Sequence, residues 1–485
     1  MPTEGIFPNV IQTKPPGSFA ADDGRGVRHR IGSWKNLLER LPMDRRPALA
    51  LAAALVALAF GLRFAEMSRT SYTPIGNASS YLALGKHLAS SGTYGTGAGA
   101  AGGAHGPTAY LPPAYPYLIA AVDEISGQRG ASAPAVRAQR IAQVLLGTAT
   151  AVLVGLVAYE LFGVTAALIA LAIAAVYPAF IELSTVLVAE NLMTMFTLAA
   201  VYSALRALRD HGRLGWLVIS GICVGLATLT QISAIVLVVP LAVAMRHLPG
   251  VGKPRSVAGP AAFVAVTLLT LVPWLIRDQV VMNGFVPVSD EAGITLIGTY
   301  NKASAHSKPP YTWHYYADLA QFQALATRAH AMTEPRLSSR LVGLAGDYVS
   351  AHPTAPLAVA WHNTLRMLEL EGALAWRASA ASVGIDAGAA RVGVIGFWLL
   401  ALLALVGAFT PMARRAPAWF WSIPVLLATV VFVNGETPRF REPIDPFLIL
   451  LAACALARAV DPLITHVKQI NEPPHYDVAK RIKPI

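Results

Sequence analysis

Long runs of apolar residues are the feature that most constrains the fold of this chain. Several of these runs reach the roughly 18 residues that a helix needs to cross a bilayer. Only 13% of the residues are charged, whereas a soluble domain carries roughly 25%. The sequence therefore predicts an all-α polytopic membrane protein.

Basic residues between the runs predict the orientation. The predicted spans number about ten and lie at about 47–66, 138–161, 164–183, 186–207, 214–230, 232–247, 257–277, 391–410, 417–434 and 443–460. Arginine and lysine gather in the connections 206–213, 246–255 and 412–416, which favours the cytoplasmic side for them. Counting Pro112–Ser126 as a further span would put the first two outside. This short stretch is therefore predicted to be a juxtamembrane or re-entrant helix, and both termini are predicted to be cytoplasmic.

This topology divides the chain into five parts. They are a cytoplasmic tail with an interfacial helix at 1–46, a transmembrane catalytic-type module at 47–277 that includes the outer loop 68–136, an extracytoplasmic segment at 278–390, C-terminal transmembrane helices at 391–460 and a cytoplasmic tail at 461–485. The interfacial helix rests on one apolar face of Ile31–Leu41, a pattern equally typical of an ordinary amphipathic linker. Polar residues collect on the outer side, so we expect the protein to work at that face.

Six stretches carry a family resemblance, in the same order as in the family. They are Ile75–Gly95, Gly106–Val122, Ala175–Thr194, Gly225–Ile235, Pro273–Gly293 and Pro438–Ala453. Together they resemble bacterial glycosyltransferase family 39 over roughly residues 50–460. This family is related to the protein O-mannosyltransferases and to the lipid A aminoarabinose transferase. The resemblance implies the C-type membrane glycosyltransferase fold.

The resemblance also implies an activity. Such enzymes transfer a sugar, with inversion, from a polyprenyl-phosphate carrier to a glycan, lipid or protein acceptor on the outer face of the cytoplasmic membrane. The alternative is a catalytically degenerate member that binds a lipid-linked glycan or supports a partner enzyme. The net charge of +11 follows membrane topology, so no nucleic-acid partner is expected. No phosphate-binding GxxxxGK[ST] loop supports ATP-driven transport.

Asn77 is the main departure from the family pattern. The family's loop carries its acids in a GDAxDY string, and here Asn77 and Ser80 stand at the acid positions. Residues 67–122 contain no Asp or Glu at all. Because an amide cannot act as a general base, three interpretations stay open. Asn77 positions the acceptor while another group takes the proton, the protein is degenerate, or the alignment is out of register.

Glu190 is the stronger catalytic candidate. It matches the acid of the family's LLTExLFT string and lies at the outward end of a predicted span. Ionisable residues at such positions are functional candidates, although an acid at a helix start is also favoured by the helix dipole. Glu182 could share this function, and an interfacial charge is its simpler explanation.

Three arginines could hold the carrier phosphate. Arg277 follows Pro273–Trp274 at an outward helix end and could bind phosphate in a bidentate manner, or snorkel to the interface. Arg439 and Arg441 match the family's RYR string, and contact with a lipid headgroup is their alternative.

Tyr81 and His105 complete the predicted site. Tyr81 is the tyrosine of the GDAxDY-like string and is a candidate for substrate binding. His105 is the titratable side chain of the glycine-rich tract and could substitute for the missing base, because its pKa lies near neutrality. No ordered set of His, Asp and Glu indicates a metal site, so no cofactor is certain and a divalent cation is the one candidate.

Overall fold

The computed structural model describes residues 46–96, 106–209, 214–248, 257–329, 331–435 and 437–471. The chain forms two compact units, Met1–Leu49 and Ala50–Ile485. Of the first unit the structure describes residues 46–49, which are helical. The predicted interfacial helix at Ile31–Leu41 lies outside the described residues, and everything below concerns the second unit.

Helices account for nearly all of the regular structure. From the start to the end of the first membrane module they are α1 (Arg46–Arg69), α2 (Asn77–Ser91), α3 (Ala114–Ser126), α4 (Ala133–Phe162), α5 (Val164–Val176), α6 (Pro178–Leu183), α7 (Glu190–Arg209), α8 (Leu214–Thr230), α9 (Val238–Met245) and α10 (Ala258–Val281). From there onwards they are α11 (Glu291–Thr299), α12 (Lys302–Ala305), α13 (Gln323–Ala329), α14 (Glu334–Ala351), α15 (Ala355–Met367), α16 (Ala373–Ser382), α17 (Ala387–Ala408), α18 (Ala418–Leu427) and α19 (Asp445–Asn471). A two-stranded antiparallel ladder joins β1 (Gly95–Thr96) to β2 (Gly106–Pro107).

The described helices agree with an all-α membrane protein. Five of them, α1, α4, α7, α10 and α17, are long and apolar enough to cross a bilayer. Shorter apolar helices cover Val164–Val176, Leu214–Thr230, Ile232–Met245 and Ala418–Phe432. The predicted fold class is thereby confirmed, whereas the count of about ten spans stays a prediction. Pro112–Ser126 forms the 13-residue α3, which is too short to cross.

Two predicted spans differ from the helices observed. The stretch 164–183 is not one continuous helix, because Tyr177 is extended (φ −66°, ψ 117°) between α5 and α6. Pro178 explains the break, since a residue before proline is pushed out of the helical region. The stretch 186–207 becomes helical only at Glu190, which leaves residues 184–189 as a turn.

Small residues allow the membrane helices to pack closely, as is typical inside a bilayer. A Cβ at Gly221 on α8 would lie 2.8 Å from Val266 of α10, and one at Gly407 on α17 would lie 1.8 Å from the carbonyl oxygen of Leu451 on α19. Side chains larger than hydrogen would therefore separate these helix pairs.

A buried arginine connects α1 to the turn before α7. The Arg63 guanidinium donates to the carbonyls of Ala174 at 2.9 Å and Ala175 at 3.2 Å. It also donates to the Ser184 hydroxyl at 3.2 Å. These bonds satisfy a charge that would otherwise be costly to bury, and they hold residues 184–189 against the first helix.

The outer loop packs on the membrane helices through α2 and α3. The Tyr81 and Tyr115 rings meet edge to face, with centroids 4.8 Å apart. Gly85 lets the two helices approach, because a Cβ there would lie 2.3 Å from Cγ2 of Ile119. The β1–β2 ladder brings together the two ends of the glycine-rich tract.

The outer segment after α10 has a hydrophobic cluster of its own. Ile297, Tyr316, Leu341 and Val359 are buried together in it. The segment also bonds to the C-terminal helices, since the Tyr300 hydroxyl donates to the Phe432 carbonyl at 2.6 Å. The predicted segment 278–390 and the five-part division stay predictions.

Candidate functional site

One pocket brings four of the predicted site residues together. Asn77 and Tyr81 reach it from α2, Glu190 from the start of α7 and Arg439 from a 3₁₀ turn at Arg439–Arg441. Tyr72 forms another part of its wall, and the space between the walls, part of it open to solvent, is about 280 Å³. Residues distant in the sequence thus converge at one place.

Glu190 and Arg439 form the charged centre of this pocket. The Arg439 Nε donates to Glu190 Oε1 at 2.8 Å, with side-chain exposures of 15% and 3% respectively. A hydrogen-bonded, shielded ion pair of this kind is stronger than a surface pair. Because Glu190 is the first residue of α7, its position depends on the turn that precedes it.

A buried amide network fixes that turn. Gln143 on α4 donates to the Val188 carbonyl at 2.8 Å, and Asn191 donates to Gln143 Oε1 at 2.8 Å. The Gln143 amide also donates to the Tyr115 hydroxyl at 2.5 Å. The residues on both sides of Glu190 are therefore held by α4, and the same network reaches the outer loop.

Asn77 begins α2 and is half-buried at the pocket. Gly76, just before it, has φ 54°, a left-handed conformation that favours glycine. The Asn77 side chain makes no hydrogen bond to the described residues. It is an uncharged amide facing the Glu190–Arg439 pair, so it can orient a hydroxyl group but cannot remove a proton from it.

Tyr81 lies one helical turn after Asn77 and is buried. Burial raises the pKa of its hydroxyl well above the usual range, and the nearby Glu291 and Glu190 carboxylates add to the rise. Tyr81 is therefore neutral at physiological pH. Its hydroxyl can serve as a hydrogen-bond donor or acceptor in the pocket.

Arg277 does not line this pocket. Its guanidinium donates to the carbonyls of Tyr94 at 2.6 Å and Thr108 at 2.7 Å, and to Asp278 Oδ1 at 2.7 Å. It also lies over the Trp274 ring, 4.8 Å from the centroid. These bonds tie both ends of the glycine-rich tract to α10, a function that neither sequence interpretation anticipated.

Arg441, two residues after Arg439, also points elsewhere. It is buried, with 3% side-chain exposure, and pairs with Glu369 at 2.9 Å and Asp445 at 3.2 Å. It donates to the Met367 carbonyl at 2.9 Å and lies 3.7 Å from the Phe397 ring centroid. Arg441 thus joins the outer segment to α17 and α19. His105 lies outside the described residues.

Glu291 is a residue that the sequence argument missed. It begins α11 in the outer segment, half-buried, and interacts electrostatically with Glu190, Arg439 and Tyr81. Burial raises the pKa of Glu291 to about 7; Arg439 opposes the rise and Glu190 adds to it. The signal in the sequence is the pair of acids in the family-like string VPVSDEAG. A carboxyl that titrates near neutrality suits a general base.

The described residues of this site do not form a cluster of metal ligands. Among the residues that the structure describes, no group of three or more His, Cys, Asp or Glu side chains could hold a metal ion. The Glu190 carboxylate of the pocket is already bonded to Arg439.

Comparisons with known proteins agree with the architecture. Residues 111–276 match the family model of dolichyl-phosphate-mannose-protein mannosyltransferases. No curated protein matches the whole sequence significantly.

Solved structures with a similar fold include the oligosaccharyltransferase AglB from Archaeoglobus fulgidus in complex with an inhibitory peptide and a dolichol-phosphate. It aligns at 16% identity and a TM-score of 0.53, covering 89% of this chain and 52% of that one. The same enzyme tethered to an acceptor peptide aligns at 15% identity and a TM-score of 0.52, covering 87% and 51%. ArnT from Cupriavidus metallidurans bound to undecaprenyl phosphate aligns at 16% identity, covering 91% of this chain and 81% of that one. Its TM-score of 0.37 is too low to support an inference.

The chain spans about half the length of the oligosaccharyltransferases that it matches. Identities this low speak for the fold alone. The resemblance to family 39 predicted from the motifs is nevertheless confirmed, and the chain has the C-type membrane glycosyltransferase fold.

Proposed function

We propose that this protein transfers a sugar, with inversion, from a polyprenyl-phosphate carrier to an acceptor at the outer face of the cytoplasmic membrane. The observation that carries the proposal is the convergence of Asn77, Tyr81, Glu190 and Arg439 in one pocket of this fold. The dolichol-phosphate bound to the archaeal relative supports a lipid-phosphate donor. The tethered acceptor peptide of that enzyme supports an acceptor site beside the donor.

Arg439 is the group proposed to hold the carrier phosphate. A guanidinium has five N–H donors in a planar fork, so it can bind the Glu190 carboxylate and a phosphate together. As the bond between the anomeric carbon and the phosphate oxygen breaks, negative charge grows on that oxygen. A preorganised cation there lowers the barrier, and a single donor of this kind contributes about 10²–10³ in rate.

Glu190, which lines the pocket, can take the acceptor proton, and Glu291, which interacts electrostatically with Glu190 and Arg439, is the alternative base. The acceptor oxygen attacks the anomeric carbon, its proton passes to a carboxylate, and the phosphate leaves on the carrier. Asn77 orients the acceptor in this scheme, and Tyr81 contacts the sugar. Ser382 and Val383 of the outer segment line the pocket, and we propose that this segment excludes water when substrates are bound, since hydrolysis is the competing reaction.

The topology proposed for this activity has both termini in the cytoplasm and the pocket in the cell envelope. Support comes from the basic connections 206–213 and 246–255, which the positive-inside rule assigns to the cytoplasm. The acceptor is a glycan, a lipid or a protein. A divalent cation stays a candidate cofactor, to be tested by chelation in the same assay.

A catalytically degenerate, glycan-binding protein is the second candidate. One observation favours it: an amide, Asn77, occupies the pocket where the family's acid is expected. A binding protein of this kind would keep Arg439 for the carrier phosphate and would lack turnover.

Transfer assays on membranes separate the two candidates. Membranes with the wild-type protein or with Glu190→Gln, Arg439→Gln or Asn77→Asp are supplied with a labelled polyprenyl-phosphate sugar. Glu124→Gln is the matched control, because Glu124 lies in an exposed pair with Arg129. We expect wild-type transfer that falls at least about 100-fold in Glu190→Gln and Arg439→Gln. An inert wild type that gains activity in Asn77→Asp would establish the degenerate protein instead.

A further inference from the structure

A second pocket lies on the other side of Tyr72 from the first. The space between its walls, part of it open to solvent, is about 380 Å³, and Tyr72 lines both pockets. The walls are continuous elsewhere too, because Val186 lines the second pocket and Leu187 the first. The Tyr72 hydroxyl accepts a hydrogen bond from the Leu187 amide at 3.2 Å, which fixes this shared wall.

Three carboxylates line the second pocket. Asp386 is exposed, Glu66 is half-buried and Glu182 is buried, so acidic groups extend from its mouth inward. Asp386 also accepts the amide of Gly388 at 2.6 Å as the cap of α17. They come from three distant parts of the chain, the end of α1, α6 and the residue before α17.

Glu182 is the most buried of the three carboxylates. The residue is 6% exposed, and no described residue donates a hydrogen bond to its carboxylate, on which the Arg441 charge acts only through space. Its carboxylate lies against Gly393 of α17, where a Cβ would come within 2.9 Å of Oε2. Burying an unpaired carboxylate is costly, so a partner supplied by a ligand would stabilise it.

Among the described residues that line this pocket, Arg140 is the cation, and its donors are already engaged. Arg140 donates to the Thr185 carbonyl at 2.6 Å, to the Thr70 carbonyl at 2.9 Å and to the Thr70 hydroxyl at 2.7 Å. Its donors bind neutral oxygens and leave the carboxylates without a hydrogen-bonded counterion. The pocket therefore favours a positively charged ligand and disfavours a phosphate.

We propose that the pocket formed by Glu66, Glu182 and Asp386 binds a primary ammonium group carried by the acceptor. An ammonium has N–H donors that the buried Glu182 carboxylate can accept, and Glu66 and Asp386 add negative charge along the same cavity. The donor phosphate belongs in the Arg439 pocket, so the acidic pocket beyond Tyr72 serves the other substrate. A metal ion fits less well, since the described carboxylates form no metal-binding group.

Binding is measured without turnover, on the full-length protein in detergent micelles, by saturation-transfer NMR. The identification of the ligand as an acceptor rests on the proposed function, but the binding does not. Ethanolamine is compared with ethylene glycol, which replaces the ammonium by a hydroxyl. Two further probes, glycerophosphoethanolamine and N-acetyl-lysine amide, present the ammonium as a lipid headgroup and as a peptide side chain. Binding of either supports the site, and the lower Kd assigns the source.

We expect ethanolamine to bind and ethylene glycol not to. Glu182→Gln should weaken ethanolamine binding at least about tenfold, because a charged hydrogen bond is lost. Glu124→Gln should leave it unchanged. Gly393→Ala, which pushes the Glu182 carboxylate aside while keeping its charge, should weaken binding as well. Glu66→Gln gives an independent test if Glu182→Gln fails to fold.

Equal binding of ethanolamine and ethylene glycol would overturn the inference, and so would ethanolamine binding that is unaffected by both glutamate substitutions. Either result would leave sugar transfer untouched. Conversely, a protein that binds ethanolamine through Glu182 but transfers no sugar would contradict the proposed function and keep the ammonium site.

Discussion

Replacing Arg441 by methionine should destabilise the folded protein strongly. Its guanidinium is bonded to Glu369, Asp445 and the Met367 carbonyl. The side chains of Arg441, Glu369 and Asp445 are at most 4% exposed. The substitution leaves two buried carboxylates without their cation. Breaking a buried pair in this way costs about 3–5 kcal/mol, more than the pair itself contributes over an apolar replacement.

Unfolding of the purified protein in detergent measures this loss, by heat or by titration with a denaturing detergent. Arg441→Lys should lie between the wild type and Arg441→Met, because an ammonium keeps the charge but not the planar fork. Arg129→Gln is the control. Its exposed pair with Glu124 should contribute no more than about 1 kcal/mol.

The result that would refute this reasoning is an Arg441→Met protein as stable as the wild type but inactive in transfer. Arg441 would then contact substrate, as the sequence motif predicted, and both Arg439 and Arg441 would act on substrate.

Two further predictions concern the outer loop and the outer segment. The rate of sugar transfer should rise with pH through about 7, because a base must be deprotonated and the Glu291 pKa is about 7. Glu291→Gln should remove this rise in the pH–rate profile and slow transfer about 100-fold or more. A pH–rate profile that the substitution leaves unchanged would exclude Glu291 as the base. Gly85→Ala should destabilise the protein by about 1–3 kcal/mol in the unfolding assay, because the new Cβ would lie 2.3 Å from Ile119 Cγ2. Gly61→Ala is the control and should not destabilise the protein, because nothing lies within 4 Å of its Cβ position. Equal stabilities of the two variants would contradict the importance of the contact at Gly85.

Much of the fold was predictable because apolar runs and basic connections act locally. Hydropathy places the membrane helices, and the shortness and leading prolines of Pro112–Ser126, together with the basic connections, predict that α3 does not cross. The break at Tyr177 was predictable too, since Pro178 disfavours a helical residue before it. These features depend on neighbouring residues alone, so one sequence is enough to find them.

The arginines mark where sequence reasoning stops. Arg439 and Arg441 carry the same charge in one motif, yet one faces the pocket and the other is buried among carboxylates. Arg277 donates to two carbonyls of the outer loop, bonds that depend on the course of that loop in space. Which partner an arginine reaches depends on tertiary packing, and hydropathy carries no information about it.

The environments of Glu291 and Glu182 depend on tertiary packing in the same way. Glu291 follows another acid in an outer segment, where charged residues are ordinarily solvated, and only the packing of α11 brings it close to Glu190. The sequence leaves Glu182 open between a shared catalytic function and an interfacial charge, and its environment results from the contact between α6 and Gly393 of α17. Neither environment follows from residues nearby in the sequence.

The bonds that tie the outer loop to its neighbours bear on how substrates reach the pocket. Glu334 on α14 accepts the Thr108 hydroxyl at 2.6 Å and the Ala109 amide at 2.8 Å, while Arg277 donates to the Thr108 carbonyl. Lifting the outer segment along this edge would break several charged hydrogen bonds, each contributing roughly 1.5–3 kcal/mol. This edge should therefore stay closed, and the acceptor should enter elsewhere, for which the exposed Ser382 and Asp386 at the borders of the two pockets are the candidates.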